Sequence, residues 1–201
     1  MPQRTFLALD LENATLDHLA QVQADLCQGQ SNVRPVEREN HHLTLIFLGD
    51  VPDEMLSQVC DLAAGAAATV KPFEFQVRGI ECVPSLGPLR MIWAGVEDAT
   101  GCLAELAENL RAALAGLGLH EETRSFRPHI TLARVRSGRG GEGYSRSRRP
   151  AHGADAVRQA AAGHAQTDFG TQWAQEVVIY GSQLTPDGPV YSPTARARLG
   201  E

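Results

Sequence analysis

Two short stretches of this chain, His42-Leu43-Thr44-Leu45 and His129-Ile130-Thr131-Leu132, carry one pattern 87 residues apart. Each lies in an otherwise apolar run. Side chains of a β-strand alternate between faces, so the His and Thr of each copy share one face. The two apolar residues anchor the other face in a core. Similar elements surround each copy: a helix before, a helix after, then a further strand. The repeat predicts two pseudo-symmetric lobes around a central cleft, in which two His and two Thr converge.

The remaining pattern fits that frame. Residues 5–9 predict a buried strand, and 14–27 a helix with Leu16, Leu19, Ala20 and Leu26 near one face. Residues 33–36 predict a short strand ending at the polar turn Glu37-Arg38-Glu39-Asn40. His42 to Leu48 is a strand stopped by Gly49-Asp50, and Pro52-Asp53-Glu54 opens a helix with acids in its first turn. Phe73, Phe75 and Val77 alternate with polar residues as a half-buried strand should. Residues 84–88 are a loop and 91–96 a strand. The leucines at 103, 106, 110, 114 and 117 mark a helix over 100–117. Residues 127–134 form a strand. The Gly-, Arg- and Ser-rich segment 137–153 reads as a flexible loop, followed by a helix at 154–165, a strand at 177–180 and a short return near Val190-Tyr191. Strands often follow strands with no helix between. The expectation is therefore an α+β fold of mostly antiparallel sheet with outer helices, forming one bilobal domain over 1–201.

Composition narrows the classes. The 201 residues, 43% of them hydrophobic, can bury a sizeable core. No run approaches the ~20 apolar residues of a membrane span, so no membrane association is expected. The N-terminus passes straight into Thr5-Phe6-Leu7-Ala8-Leu9 without a leader-like stretch, and the expected location is the cytoplasm. Cys27, Cys60, Cys82 and Cys102 form no metal-binding spacing and read as small core hydrophobes in a reducing compartment. Nothing in the sequence points to an oligomer, and a monomer is expected. Net charge is −6, which argues against a protein that coats nucleic acid. Yet eight Arg and one acid, Glu142, fall between Arg124 and Arg149, a local +7, leaving −13 for the rest. Lys71 is the single lysine, so the positive charge is almost all guanidinium, suited to bidentate phosphate contact.

Two imidazoles and two hydroxyls in one cleft suit a phosphodiester. Its hydrolysis needs one group to take a proton from the attacking water and another to give a proton to the departing oxygen. Imidazole titrates near neutral pH, so one copy can be neutral while the other is protonated. The Thr hydroxyls can donate to the non-bridging oxygens, where charge grows in the transition state. No metal is required, no cofactor is implied, and no ligand cluster for a metal is evident. His41 has the opposite strand parity to His42 and reads as a neighbour; His18, His120, His152 and His164 read as surface or helix-face residues. Phe47 and Phe126 read as core. An aromatic platform for unpaired bases is not obvious.

At these residues the chain resembles the 2H phosphoesterases, and within them the LigT-like RNA 2′,3′-cyclic phosphodiesterases. The resemblance rests on Arg4-Thr5-Phe6-Leu7-Ala8-Leu9, on Glu39-Asn40-His41-His42-Leu43-Thr44-Leu45-Ile46-Phe47-Leu48-Gly49, on Phe126-Arg127-Pro128-His129-Ile130-Thr131-Leu132-Ala133-Arg134, and on Ser182-Gln183-Leu184 with Tyr191. It implies a bilobal fold and opening of an RNA 2′,3′-cyclic phosphate to a 2′-phosphomonoester. It implies His42 as proton donor to the leaving 3′ oxygen and His129 as proton acceptor. Thr44 and Thr131 would hold the phosphate, with Arg127 assisting, and Arg134, Arg136 and Tyr144 are candidate RNA contacts. The reverse-type reaction, attack by a 5′-hydroxyl to give a 2′–5′ linkage, would use the same groups. Segment 137–153 is longer than the family pattern, and Gly181 stands where relatives often carry Glu. Two other readings follow from the same residues: an RNA-end binding module without catalysis, from the +7 stretch, and a relative acting on a small cyclic nucleotide.

Overall fold

The computed structural model describes residues 2–119, 125–136, 152–186 and 188–200. In chain order these form β1 (Gln3–Leu9), α1 (Asn13–Cys27), β2 (Val33–Pro35), β3 (Leu43–Val51), α2 (Asp53–Ala67), β4 (Phe73–Val83), β5 (Met91–Glu97), α3 (Cys102–Leu114), β6 (His129–Val135), α4 (His152–Gly163), β7 (Asp168–Ala174), β8 (Glu176–Thr185) and β9 (Gly188–Arg198). One-turn 3₁₀ segments occupy Arg38–Asn40 and Ala115–Leu117.

The strands build one curled antiparallel sheet in the order β7-β4-β5-β6-β3-β1-β8-β9, with β2 added alongside β6. The two strands that carry the repeated pattern, β3 and β6, lie at its centre. Three strands continue outward from each: β1, β8 and β9 on one side, β5, β4 and β7 on the other. The lobes expected from the sequence are thus the halves of one sheet, and the architecture is α+β. The halves do not coincide with the halves of the chain. The early α1 and β2 pack with β6 and β7, while the late β8 and β9 return to β1 and α2.

The core lies between the sheet and four helices. In α3 the leucines 103, 106, 110 and 114 are all buried, the stripe that three- and four-residue spacing dictates. Asp98 starts this helix, its Oδ2 accepting from the Leu103 N–H at 2.7 Å. In α1, Leu19, Val22 and Leu26 face inward, and in α2, Val59, Ala63, Ala66 and Ala67. Cys27, Cys60, Cys82 and Cys102 are free thiols, half-buried against the core.

Several boundaries differ from the expectation. β3 begins after His42 and runs through Gly49-Asp50 to Val51, because Gly49 adopts a φ of 70° that absorbs a register shift against Thr5 instead of ending the strand. β4 likewise continues past Val77 to Val83 through a bulge at Arg78-Gly79. The final α-helical stretch before β6 stops at Leu114 and tightens into the 3₁₀ turn at 115–117. β6 starts at His129, not Arg127. α4 starts at His152, so residues 152–153 of the expected loop belong to a helix; the rest of that loop, Tyr144 included, lies outside the described residues. β7 is an additional strand, and the short return near Val190 is the eleven-residue β9. Phe47 is 44% exposed instead of core. Phe126 is half-buried against the core. No helix among the described residues is long and apolar enough to cross a membrane.

Candidate active site

β3 and β6 meet at one ladder pair, Leu43 opposite Ile130. Both are fully buried, and residues directly opposed across two strands share a face. The neighbours on either side therefore point to the other face: His42 and Thr44 from one strand, His129 and Thr131 from its counterpart. Antiparallel register runs His42 toward Thr131 and His129 toward Thr44. The two copies of the pattern are brought together as their parity requires.

Each imidazole is held in the same way. His42 Nδ1 lies 2.9 Å from the carbonyl oxygen of Asn40, and His129 Nδ1 lies 2.7 Å from that of Arg127. In both cases the acceptor is the carbonyl two residues back. A carbonyl only accepts, so Nδ1 carries the proton and Nε2 is left for chemistry. Each ring also rests on an aromatic residue from the next strand out. His42 stacks on Phe6 of β1 at 4.8 Å between centroids, and His129 stacks on Trp93 of β5 at 3.7 Å.

Beyond that the halves diverge. Around His42 the wall is aromatic: Tyr191 meets the ring edge-on at 5.3 Å, and Tyr180 stacks on Phe6 at 5.3 Å. The Tyr180 hydroxyl donates to Asp10 at 2.6 Å, and Arg196 joins Asp10 to Glu176. Around His129 the wall is ionic. Arg127 pairs with Glu81 and places its guanidinium 5.3 Å from the Trp93 ring centroid. Glu81, Trp93, Gly95, Arg127, Pro128 and His129 border a cavity of about 130 Å³.

Burial pushes both imidazoles toward the neutral form. His42 is lowered to about 4, with the Arg134 guanidinium adding to that and Asp10 opposing it. His129 is lowered by burial and by the Arg127 and Arg134 charges, against Glu81. Both shifts favour the neutral imidazole, and desolvation is their first cause.

Arg134 acts on both His because of a bulge. β5 pairs Ile92 with Ala133 but Trp93 with Thr131, so β6 carries one extra residue at Leu132. Leu132 and Ala133 are both buried, and the alternation resumes one residue out of step. Arg134 thereby emerges, exposed, on the face of Thr131. The Thr44 and Thr131 side chains are half-buried on that face. His41 turns the other way, 4% exposed, with Nε2 3.2 Å from Gln23 Nε2. Gln23 also donates to the carbonyls of Val36 and Leu132, tying α1 to β6 behind the site.

The sequence reading misses Trp93, Phe6, Glu81 and Tyr180. A signal for Trp93 is present in the chain. In β5, Ile92 and Ala94 are buried while Met91, Trp93 and Gly95 are not, so the alternation turns an indole at position 93 toward the site.

Comparison with known proteins points to one family. The model of the LigT-like phosphoesterase family matches residues 9–93 and 95–191. The RNA 2′,3′-cyclic phosphodiesterase of Methanothermobacter thermautotrophicus is 30% identical over 99% of this chain and 100% of its own length. That of Thermus thermophilus is 34% identical over 86% of this chain and 81% of its own length. Among solved structures, a Thermus thermophilus protein superposes with a TM-score of 0.77 at 29% identity, covering 98% of this chain and 99% of that one. E. coli LigT complexed with 3′-AMP superposes with a TM-score of 0.76 at 25% identity, over the whole of both chains. The chain belongs to the LigT-like phosphoesterase family.

Proposed function

We propose that the protein opens the 2′,3′-cyclic phosphate at the end of an RNA, leaving a 2′-phosphomonoester. The observation that carries this reading is the mirrored pair of imidazoles, each with Nδ1 tied to the carbonyl two residues back, which leaves Nε2 for the substrate. Two relatives that match nearly the whole chain are named RNA 2′,3′-cyclic phosphodiesterase, which supports the cyclic ester as substrate.

Water attacks phosphorus in line with the 3′ oxygen. His129 Nε2 takes the proton from that water as the new P–O bond forms. The P–O3′ bond breaks, and protonated His42 gives its Nε2 proton to the departing oxygen. Thr44 and Thr131 donate to the non-bridging oxygens. Arg134, whose charge reaches both imidazoles, offsets the charge that develops there. The substrate phosphate is itself an anion, and its arrival opposes the desolvation that keeps His42 neutral. Arg127 serves the site through its carbonyl, which orients His129, while its side chain stays with Glu81 and Trp93. No step uses a metal. A 5′-hydroxyl in place of water would give a 2′–5′ linkage with the same groups.

The test is a short RNA ending in a 2′,3′-cyclic phosphate, with products read by phosphorus NMR. A 2′-monoester is expected, unaffected by EDTA. His42→Ala and His129→Ala are each expected to slow opening by ~10²-fold or more, with the circular-dichroism spectrum unchanged. A 3′-monoester would reverse the choice of leaving oxygen, and full turnover in either folded variant would end the two-histidine mechanism.

A further inference from the structure

The positive charge does not stop at the reacting phosphate. Arg34 of β2 lies directly opposite Arg134 of β6, so the two side chains share the site face. Arg136, two residues further, lies on that face and is exposed. Its backbone N–H donates to the Asn32 carbonyl at 2.8 Å, which fixes the end of β6 against the start of β2. Arg34 and Arg136, with Ser31, Val33, Pro35 and Pro186, line a cavity of about 330 Å³.

Two independent paths place this cavity next to the reacting centre. Along β6, Arg134 stands three positions on from Thr131 and directly opposite Arg34, which lines the cavity. The other path runs along the β8–β9 hairpin. Pro186 borders the cavity, and a Cβ built on Gly188 would stand 3.2 Å from Arg34 Nη2. Three residues on, Tyr191 meets the His42 ring, about 10 Å at strand rise. Between them Asn40 Nδ2 donates to the Pro189 carbonyl at 3.0 Å and pins the hairpin to the segment that holds His42.

We propose that this cavity is a second phosphate subsite, taking the phosphate on the 5′ side of the nucleotide whose cyclic phosphate is opened. It rests on the cyclic-phosphate reading above and adds the substrate's minimum length. The cyclic ester occupies the 2′ and 3′ edge of the ribose, and the next phosphate of an RNA chain leaves from the 5′ carbon on the other side of the sugar. A site with one anion position opens a bare nucleoside cyclic phosphate as well as an RNA end. A site with a second, built from guanidinium groups on strands, selects a nucleotide that carries a 5′ phosphate. Guanidinium suits this role because it is always charged and can present two parallel N–H donors to phosphate oxygens.

The experiment compares one nucleoside 2′,3′-cyclic phosphate carrying either a 5′-hydroxyl or a 5′-phosphate, and a dinucleotide with the same cyclic end. The readout is the ratio of kcat/KM for phosphate-bearing over hydroxyl-bearing substrate. The wild-type protein is expected to prefer the phosphate-bearing substrates, mainly through KM, and to lose part of that preference as salt is raised. Arg136→Gln is expected to lower the ratio by about tenfold, the usual worth of one charge-assisted contact, and Arg136→Lys to restore part of it. Arg136 is exposed, so its replacement does not disturb the core. A wild-type protein with no preference, or a ratio unmoved in Arg136→Gln, would overturn the subsite while leaving cyclic-phosphate opening in place. Failure of the wild-type protein to open any of the three substrates would instead overturn the reaction itself, and the subsite with it.

Discussion

Carbonyls orient the two imidazoles, and burial pushes them toward the neutral form. His42 is held near 4 and His129 below its ordinary value, chiefly by desolvation. The proposed reaction needs one of them protonated and the other neutral. For such a pair, activity toward free substrate peaks midway between the two values, and both lie below 6.5. The kcat/KM profile is therefore expected to be bell-shaped with its maximum on the acid side of 6.5. A maximum above about pH 7.5 would show that burial does not set these protonation states. Asp10 is among the groups that raise His42, so Asp10→Asn should move the profile further to acid. At this scale the quartet itself is legible in the sequence, because His-x-Thr in a strand leaves its faces no choice. The neutral state is not, since it depends on Phe6 and Trp93, which other strands supply.

At the level of elements, the site depends on one rung. Leu43 and Ile130 are wholly buried and form the ladder pair that joins the two halves of the sheet. Ile130→Ala removes apolar volume from a packed core and is expected to cost about 2–5 kcal/mol, measured by urea unfolding. It should also lower kcat, because His129 and Thr131 flank the lost side chain; wild-type stability with wild-type kcat would rule this out. The elements that escape the sequence reading do so for identifiable reasons. β7 hides its alternation: Gly170, at φ 108°, bends it, and its buried face includes Gln172, which bonds Glu12 and Thr15 at the start of α1. β9 is an edge strand with Pro189 and Pro193 and mostly exposed residues, so that only its stretch near Val190-Tyr191 reads as strand. The bulge at Leu132 is equally hidden. Strict alternation from His129 puts Arg134 on the buried face of Ile130, and only pairing with β5 shows the slip.

For the whole molecule, the buried histidines make stability depend on pH. His41 and His42 are both lowered to about 4 in the fold, and burial leads the causes in each. In the unfolded chain an imidazole titrates near 6.5. Between those values the unfolded state binds more protons than the folded one, so stability rises with pH across that window. Acidification from about 6.5 to 4 is expected to lower Tm progressively through these two histidines. His41→Gln, remote from the reacting face, should flatten part of that slope; a Tm independent of pH from about 7 to 4 would contradict it. The repeat is sufficient to predict two halves around a cleft. It cannot reveal that α1 and β2 cross to the second half while β8 and β9 return to the first, because such long-range pairing leaves no local pattern.

The matching tethers of His42 and His129 have a last consequence. A centre whose proposed acid and base are held alike has no inherent polarity. A phosphodiester entering in the opposite sense would meet the same imidazoles, the same hydroxyls and the same exposed nitrogens. In the proposed reaction, direction would come from the unlike walls: Phe6, Tyr180 and Tyr191 beside one ring, Trp93 with the Arg127–Glu81 pair beside the other. On that proposal the chemistry is written twice in this chain, and the sense in which it is read is written once, in residues to which it assigns no proton.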